Sequence, residues 1–418
     1  MTREFTNGPL TGLRVLDLSR ILAGPTCTQL LGDMGADIIK IERPVQGDDT
    51  RGWGPPFVQD REGRDTRESA YYLSANRNKS SLALDITSTE GQGIVRELAE
   101  KCDILVENFK VGGLAKYGLD YDTLKTVNPS LIYCSITGFG QTGPYADQAG
   151  YDFLIQGMGG IMSITGEPAE RGGAPTKVGV GIADVMCGMY ASSAILAALH
   201  ARQHTGRGQH IDIALLDSQI AWLVNQGVAH LVSEQTPQPL GNGHPTIVPY
   251  ETFPASDQHF ILAVGNDNQF RKFCSLAGCE ELADNPDYAT NANRVRNRDA
   301  LVPLVAEVTG TRTAQEWIDL LSANAVPCGP VNDIAQVFAD PNTTERGMKI
   351  TLAHAASAQG SVDLIGNPIN YSDTAVTYRK APPELGEHSA EVLRTVLNKS
   401  DDEIAELAEK GTIGLHHD

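Results

Sequence analysis

The sequence predicts an α/β fold, with a large Rossmann-like domain built on a parallel sheet and a smaller α+β domain. Two observations predict the large domain: short apolar runs bounded by turn residues, and helical segments that alternate with those runs. Residues 13–18 form the first apolar run, a helix opens near Ala23, and residues 36–41 form the next run. Such alternation is typical of parallel βαβ units, which bind ligands at the carboxyl ends of their strands.

The same pattern continues along the first half of the chain. A long helix rich in small residues is predicted over residues 184–202, with Asp184 as its cap. A proline- and glycine-rich stretch at 235–245 then marks the entrance to the smaller domain. The remaining strands are predicted at 81–85, 103–107, 131–135, 211–215 and 260–264, and the remaining helices at 268–277, 300–308, 314–324 and 400–410.

Composition excludes several classes of function. The 418 residues carry a net charge of −19, which disfavours nucleic acid and anionic membranes as partners. We find no apolar run of membrane-spanning length and no signal peptide, so the expected location is the cytoplasm, or an organelle matrix after processing. The seven cysteines are scattered, which predicts free thiols and no metal site. Neither a dinucleotide fingerprint nor a P-loop follows the first strand.

One carboxylate, Asp152, lies between two glycine-rich turns at residues 138–143 and 157–160. Glycines let a ligand approach the backbone closely, and an acid set among them can serve as an exposed nucleophile. The same aspartate could equally cap a helix over residues 153–158. Spacing leaves both interpretations open.

Seven segments of the chain carry a family resemblance, at residues 10–25, 32–44, 47–53, 76–79, 107–109, 150–152 and 385–388. Together they resemble the class III CoA-transferases, a superfamily that also contains formyl-CoA and carnitine CoA-transferases and α-methylacyl-CoA racemases. Within it, residues 50–57, 71–79, 132–138 and 243–250 are most similar to enzymes of the succinyl-CoA:glutarate type.

The resemblance implies a covalent mechanism in which Asp152 attacks an acyl-CoA and becomes an aspartyl-CoA thioester that a free carboxylic acid then displaces. CoA thioesters are substrates, and no permanently bound cofactor or metal is implied. Amides of the two glycine-rich turns are the expected oxyanion donors. Arg43 is the preferred phosphate ligand, although an ion pair with Glu42 or Asp48 would also explain it. The residues implied to bind CoA are Arg20, Ile21, Leu22, Arg43, Lys79, Asn108, Phe109 and Lys116.

The resemblance also implies an architecture. A large domain spans residues 1–205 and is completed by 346–418, and a small α+β domain spans 226–325. Linkers at 206–225 and 326–345 join them, and two chains interlock as a homodimer.

The substrates and the reaction class stay open at this point. The leading interpretation is transfer of CoA from succinyl-CoA to a dicarboxylate such as glutarate. Arg20 or Arg77 would then pair with the second carboxylate of the substrate. Phe139 and Gly140 replace a tyrosine and a glutamate of formyl-CoA transferase, which counts against oxalate. A 2-methylacyl-CoA racemase would need a second base, and Asp122 stands where that histidine is expected. A transferase acting on a monocarboxylate, or a non-catalytic acyl-CoA binding protein, would also fit these segments.

Overall fold

The computed structural model describes residues 8–416, which form two compact units. Unit 1 comprises the chain up to Gly160, Val178–Val228 and the chain from Asn342 onward, and unit 2 comprises Ile161–Lys177 and Ala229–Pro341.

Strands and helices alternate through most of the chain. The strands are β1 Arg14–Asp17, β2 Asp37–Glu42, β3 Phe57–Gln59, β4 Asp65–Ser69, β5 Lys79–Leu84, β6 Ile104–Glu107, β7 Ile132–Thr137, β8 His210–Ala214, β9 Tyr250–Pro254, β10 His259–Ala263, β11 Cys328–Pro330, β12 Lys349–Ala353, β13 Ser361–Ile365 and β14 Ile413–Gly414. The helices are α1 Ala23–Asp33, α2 Ala70–Leu73, α3 Thr89–Lys101, α4 Tyr121–Val127, α5 Asp152–Met158, α6 Ile182–Thr205, α7 Leu215–Ala221, α8 Val224–Ser233, α9 Asp267–Ala277, α10 Glu280–Asp284, α11 Asn291–Arg296, α12 Arg298–Thr309, α13 Ala314–Ala323, α14 Ile334–Ala339, α15 Pro341–Glu345, α16 Ser389–Leu397 and α17 Asp401–Glu409.

Unit 1 is built on a seven-stranded sheet in the order β14-β5-β2-β1-β6-β7-β8. All neighbours in this sheet are parallel except β14, which pairs antiparallel with β5. Alternate strand residues enter different cores: Val15 packs with helices α1 and α6, whereas Leu16 packs with α3 and α16. Helices therefore cover both faces, as the apolar strands of a parallel sheet require.

Unit 2 is an α+β unit around an antiparallel sheet in the order β11-β10-β9. Its core gathers aromatic side chains from the sheet and from two helices, and Phe260, Phe270, Phe273 and Trp317 are fully buried. Each buried aromatic ring removes a large apolar area from water, so these rings contribute strongly to the stability of this small unit.

The unit boundaries differ from the sequence prediction at three places. Residues 161–177, which we expected in the large domain, belong to unit 2. The predicted linker 206–225 contains β8 and α7, and β8 is a strand of the large sheet because it pairs with β7. In the predicted return linker 326–345, β11 pairs with β10, so the small unit continues to Pro341.

By length and composition alone, helix α6 is long and apolar enough to cross a membrane, although the sequence predicted no apolar run of that length. Half of its apolar 18-residue stretch, which has a mean hydropathy of 1.6, is buried. Its small residues allow close packing on α1, since a Cβ atom at Gly188 would lie 2.5 Å from the carbonyl oxygen of Ala23. A core helix passes the same test, so the finding is weak evidence for a span.

Buried charges connect the carboxyl ends of the central strands. The Lys40 Nζ atom donates to the Asp48 carboxylate and to the Ser19 carbonyl, each at 2.9 Å, and both charged side chains are fully buried. Burial alone would raise the pKa of Asp48, but Lys40 and the donors of Thr50 lower it to about 2. Because the folded-state pKa lies below the unfolded value of about 3.9, this stabilisation is present above that value and is lost as pH falls towards 2.

Candidate active site

A cavity of about 460 Å³ lies at the carboxyl ends of β1, β2, β5 and β6, within unit 1. Residues that follow each of these strands line it, among them Arg20, Arg43, Ile86 and Phe109. This is the sheet edge at which the alternating pattern predicts a ligand. Three of the eight residues implied to bind CoA thus line one cavity: Arg20, Arg43 and Phe109.

The turn after β1 has a strained backbone. Ile21 has a φ of 72°, a left-handed conformation that β-branched residues rarely adopt. Two side chains hold this turn: Asp48 accepts from the Ile21 amide at 3.2 Å, and Asn108 accepts from the Arg20 amide at 3.0 Å. The Asn108 side chain also donates to the Arg20 carbonyl at 2.7 Å. Asn108 therefore ties the end of β6 to the end of β1.

Two arginines at the cavity share one carboxylate. Asp49 accepts from Arg20 at 2.7 Å and from Arg43 at 2.7 Å, and both arginine side chains are about half exposed. From sequence, the alternative to phosphate binding was an ion pair of Arg43 with Glu42 or Asp48. In the structure Glu42 pairs with Arg51 and Asp48 pairs with Lys40. Two exposed guanidinium groups thus face a cavity whose volume suits part of a nucleotide-sized ligand.

Close packing of two glycines places Asp152 beside the sheet. A Cβ atom on Gly138, just after β7, would lie 2.4 Å from the Cα atom of Gly150. Only glycine permits this approach, which fixes the start of α5 next to the end of β7. Tyr151 occupies the N-cap position of α5 without a side-chain cap, and Asp152 is the first residue of the helix.

The Asp152 carboxylate has hydrogen-bond donors on both oxygens. Its Oδ1 atom accepts from the backbone amides of Ala183 at 2.8 Å and Asp184 at 3.4 Å. Its Oδ2 atom accepts from the Gln156 side chain at 2.7 Å. The amides belong to the first turn of α6, whose N-cap residue Gly181 has no side chain to satisfy them. Asp152 therefore caps α6, not α5.

Leu22 connects the strained turn to Asp152. A Cβ atom on Gly181 would lie 3.2 Å from the Leu22 side chain and 3.6 Å from the Asp152 carboxyl carbon. Arg20 lines the cavity, and Leu22 approaches Gly181 beside Asp152. The turn after β1 therefore lies between the cavity and the Asp152 carboxylate.

Over residues 10–389 the sequence matches CoA-transferase family III. The chain belongs to this family. A succinate–glutarate CoA-transferase from Agrobacterium fabrum is 49% identical over 92% of this chain and 95% of its own length. The succinyl-CoA:glutarate CoA-transferase of Homo sapiens is 40% identical over 98% of this chain and 90% of its own length. A CAIB/BAIF family protein from Brucella suis has a solved structure with a TM-score of 0.83 and 49% identity, covering 94% of this chain and 100% of that one.

Two sequence predictions for this family III CoA-transferase need correction. Lys79 is fully buried, and its ammonium group donates to Asp17 at 3.2 Å, Pro25 at 3.0 Å and Asn76 at 3.0 Å, so its position is that of a core residue and not of a CoA ligand. Arg77 is also buried, where it pairs with Asp33 at 2.6 Å. It is therefore not available to a substrate carboxylate.

Lys116 lies beside the cavity, whereas the amides next to Asp152 are not those that the sequence suggested. Lys116 is exposed, and its ammonium group sits 4.6 Å from the ring of Tyr117, which lines the cavity. The amides that contact Asp152 come from the start of α6, at Ala183 and Asp184, rather than from the glycine-rich turns. Asp184 is the third residue of α6 and not its cap.

Sequence reasoning missed three residues around Asp152. Gln156 is fully buried one helical turn after it, a spacing that was visible in the sequence. Tyr71 lies on α2, where burial and the charges of Asp184 and Asp152 raise its pKa to about 12. Burial, reinforced by Asp152, raises the pKa of Asp184 to about 7. Nothing in the local sequence indicates that Tyr71 joins this site.

Proposed function

We propose that this CoA-transferase moves CoA from succinyl-CoA to a small dicarboxylic acid such as glutarate, through a thioester on Asp152. The observation that carries the mechanism is the Asp152 carboxylate, held by donors on both oxygens at the amino end of a 24-residue helix. The names of the two curated relatives support the choice of succinyl-CoA and glutarate.

In this mechanism the Asp152 Oδ2 atom attacks the thioester carbonyl carbon, and the acyl group forms a mixed anhydride with Asp152. The CoA sulfur then attacks the carboxyl carbon of Asp152 and releases the first acid. During that attack negative charge develops on Oδ1, which already accepts from the Ala183 amide at 2.8 Å. A preorganised amide at the positive end of a helix stabilises such a charge.

The contacts of Asp152 favour transfer over racemisation. A racemase needs two bases on opposite sides of one carbon. Within residues 8–416, the side-chain and backbone groups that hydrogen-bond to Asp152 come from Gln156, Ala183 and Asp184, and no histidine is among them. Asp122, which stands where a racemase would have its histidine, is mostly exposed and pairs with Lys125.

A homodimer, interlocked as in the family resemblance, is part of the proposal. Large apolar side chains are exposed on α5 and α8, and such surfaces commonly mark interfaces. Sedimentation velocity should give about twice the chain mass of 44.8 kDa, and a monomer would contradict this part of the proposal. The exposed side chains are Phe153, Leu154, Met158, Val224, Val228, Leu231 and Val232.

Asp152→Asn should lower kcat for transfer from succinyl-CoA by about 10³-fold or more, because it removes the nucleophile. The fold should persist, since the amide oxygen can still accept from the α6 amides. In the wild type, hydroxylamine with acyl-CoA should modify only the peptide that contains Asp152, as mass spectrometry will show. Asp147→Asn, exposed in the preceding loop, is the matched control. Near-normal turnover by Asp152→Asn would refute the mechanism.

Arg43→Ala should weaken CoA binding by about tenfold or more, because a charge-assisted hydrogen bond to phosphate contributes about 1.5–3 kcal/mol. Calorimetry should show no such effect for a pantetheine thioester, which lacks the phosphates. The matched control is Arg64→Ala, since Arg64 is exposed and pairs with Asp60 and Glu62 away from the cavity. An unchanged CoA affinity would leave Arg43 as a surface ion-pair residue.

Succinyl-CoA should have a higher kcat/KM than butyryl-CoA, which has the same chain length without the terminal charge. The distal carboxylate needs a cation once the thioester reaches Asp152, and Arg20 is the remaining sequence candidate. Arg20→Ala should therefore lower the ratio of the two kcat/KM values, a ratio that cancels any shared effect on CoA binding. If butyryl-CoA matched succinyl-CoA in the wild type, the dicarboxylate assignment would be wrong.

A further inference from the structure

One carboxylate of the chain, Asp49, occupies both arginines of the cavity. Its Oδ2 atom accepts from Arg20 and its Oδ1 atom accepts from Arg43, each at 2.7 Å, so each oxygen binds one guanidinium group. A phosphate group would accept from the same donors, because guanidinium groups bind oxyanions through short charge-assisted hydrogen bonds. Asp49 therefore already takes the place that an anionic ligand would take.

The backbone that carries Asp49 is fixed, whereas the two arginines can move. Asp49 is the first residue of a short 3₁₀ helix, Asp49–Gly52, which Asp48 caps. The Asp48 amide donates to Glu42 at 3.0 Å and the Asp48 carboxylate pairs with Lys40, and all three side chains are buried. The arginine side chains are about half exposed. An exchange of ion-pair partners therefore requires the arginines to turn away from Asp49.

Arg43 lies between two cavities of unit 1. It lines the cavity at the strand ends and also a neighbouring cavity of about 560 Å³. Asp49 lines the neighbouring cavity but not the one at the strand ends. A phosphate group bound at the strand ends would thus have to draw the Arg43 guanidinium from Asp49 on one side to the ligand on the other.

We propose that Asp49 is a built-in competitor of the CoA phosphates, an anion of the chain that holds Arg43 and Arg20 until a phosphate group replaces it. This inference rests on the proposed function, since it takes the CoA phosphates as ligands of Arg43. Asp49 then sets how tightly the enzyme holds the nucleotide part of its substrate.

Such competition suits an enzyme that exchanges one CoA thioester for another. Substrate and product carry the same nucleotide, so contacts with the phosphates stabilise both equally and do not lower the barrier of the chemical step. Excess affinity for the nucleotide would instead slow release of the product thioester, a step that limits turnover in many enzymes. A competing carboxylate lowers this affinity while both guanidinium groups keep their charge.

The test is calorimetric titration of the wild type and Asp49→Asn with CoA. The dissociation constant of Asp49→Asn should be about fivefold lower, because exposed ion pairs contribute modestly and two of them no longer compete with phosphate. A pantetheine thioester, which lacks the phosphates, should show no such gain. Asp49→Glu keeps the charge and should not tighten binding, whereas Asp49→Ser, a second neutral variant, should.

A double-mutant cycle connects the gain to the arginine. In the Arg43→Ala background, Asp49→Asn should improve CoA binding less than in the wild type, because one of the two competing ion pairs is already absent. The matched control is Asp37→Asn, which removes the same charge from an ion pair with Arg14. Asp37 begins β2, at the opposite end of that strand from the cavity, so this variant should bind CoA as the wild type does.

Unchanged or weaker CoA binding by both neutral variants of Asp49 would overturn the proposal, and so would an equal gain in Asp37→Asn. Failure of the proposed function would look different, since the wild type would then not bind CoA or would not transfer it from succinyl-CoA.

Discussion

The buried ion pair between Lys40 and Asp48 is the interaction on which the cavity depends. Asp48 accepts from Lys40, from Thr50 and from the amide of Ile21, so one carboxylate joins β2, the following turn and the turn after β1. Removing either charge would leave its partner buried alone, which typically costs about 3–5 kcal/mol. Lys40 also donates to the Ser19 carbonyl, and Asp48 accepts from the Ile21 amide. The ion pair therefore fixes the backbone positions from which the arginines of the cavity extend. Rigid support beneath a site is what allows exposed groups above it to bind with little loss of entropy.

Asp152 shows how one contact can serve both the fold and the chemistry. Gly181 leaves the first-turn amides of α6 without a side-chain cap, and Asp152 supplies an acceptor from another helix. In the proposed mechanism, the same amides point at the oxygen that becomes negative when the Asp152 carboxyl carbon is attacked. Helix capping would then hold these donors in place before substrate binds, as electrostatic preorganisation requires.

The parallel strands of the large sheet could be predicted because their apolar runs are short and continuous, as in β1, β2 and β6. The two-residue strand β14 could not, since its pairing with β5 is set by tertiary structure alone. At the site, Arg43 and Phe109 were predictable because strand ends converge at one sheet edge. The buried position of Lys79 could not be predicted, because its ion-pair partner Asp17 lies 62 residues earlier in the chain. The raised pKa of Asp184 similarly depends on burial, which sequence does not reveal.

The strained turn after β1 connects the cavity to the neighbourhood of Asp152. A non-glycine residue in the left-handed region costs on the order of 1–3 kcal/mol, and Ile21 is β-branched. Hydrogen bonds from the Ile21 and Arg20 amides to Asp48 and Asn108 offset that cost. In return, Arg20 lines the cavity while Leu22, two residues later, reaches Gly181 beside Asp152. A relaxed backbone at Ile21 would change the direction of the chain between these two residues, so the hydrogen bonds that hold the left-handed conformation also hold both residues in place.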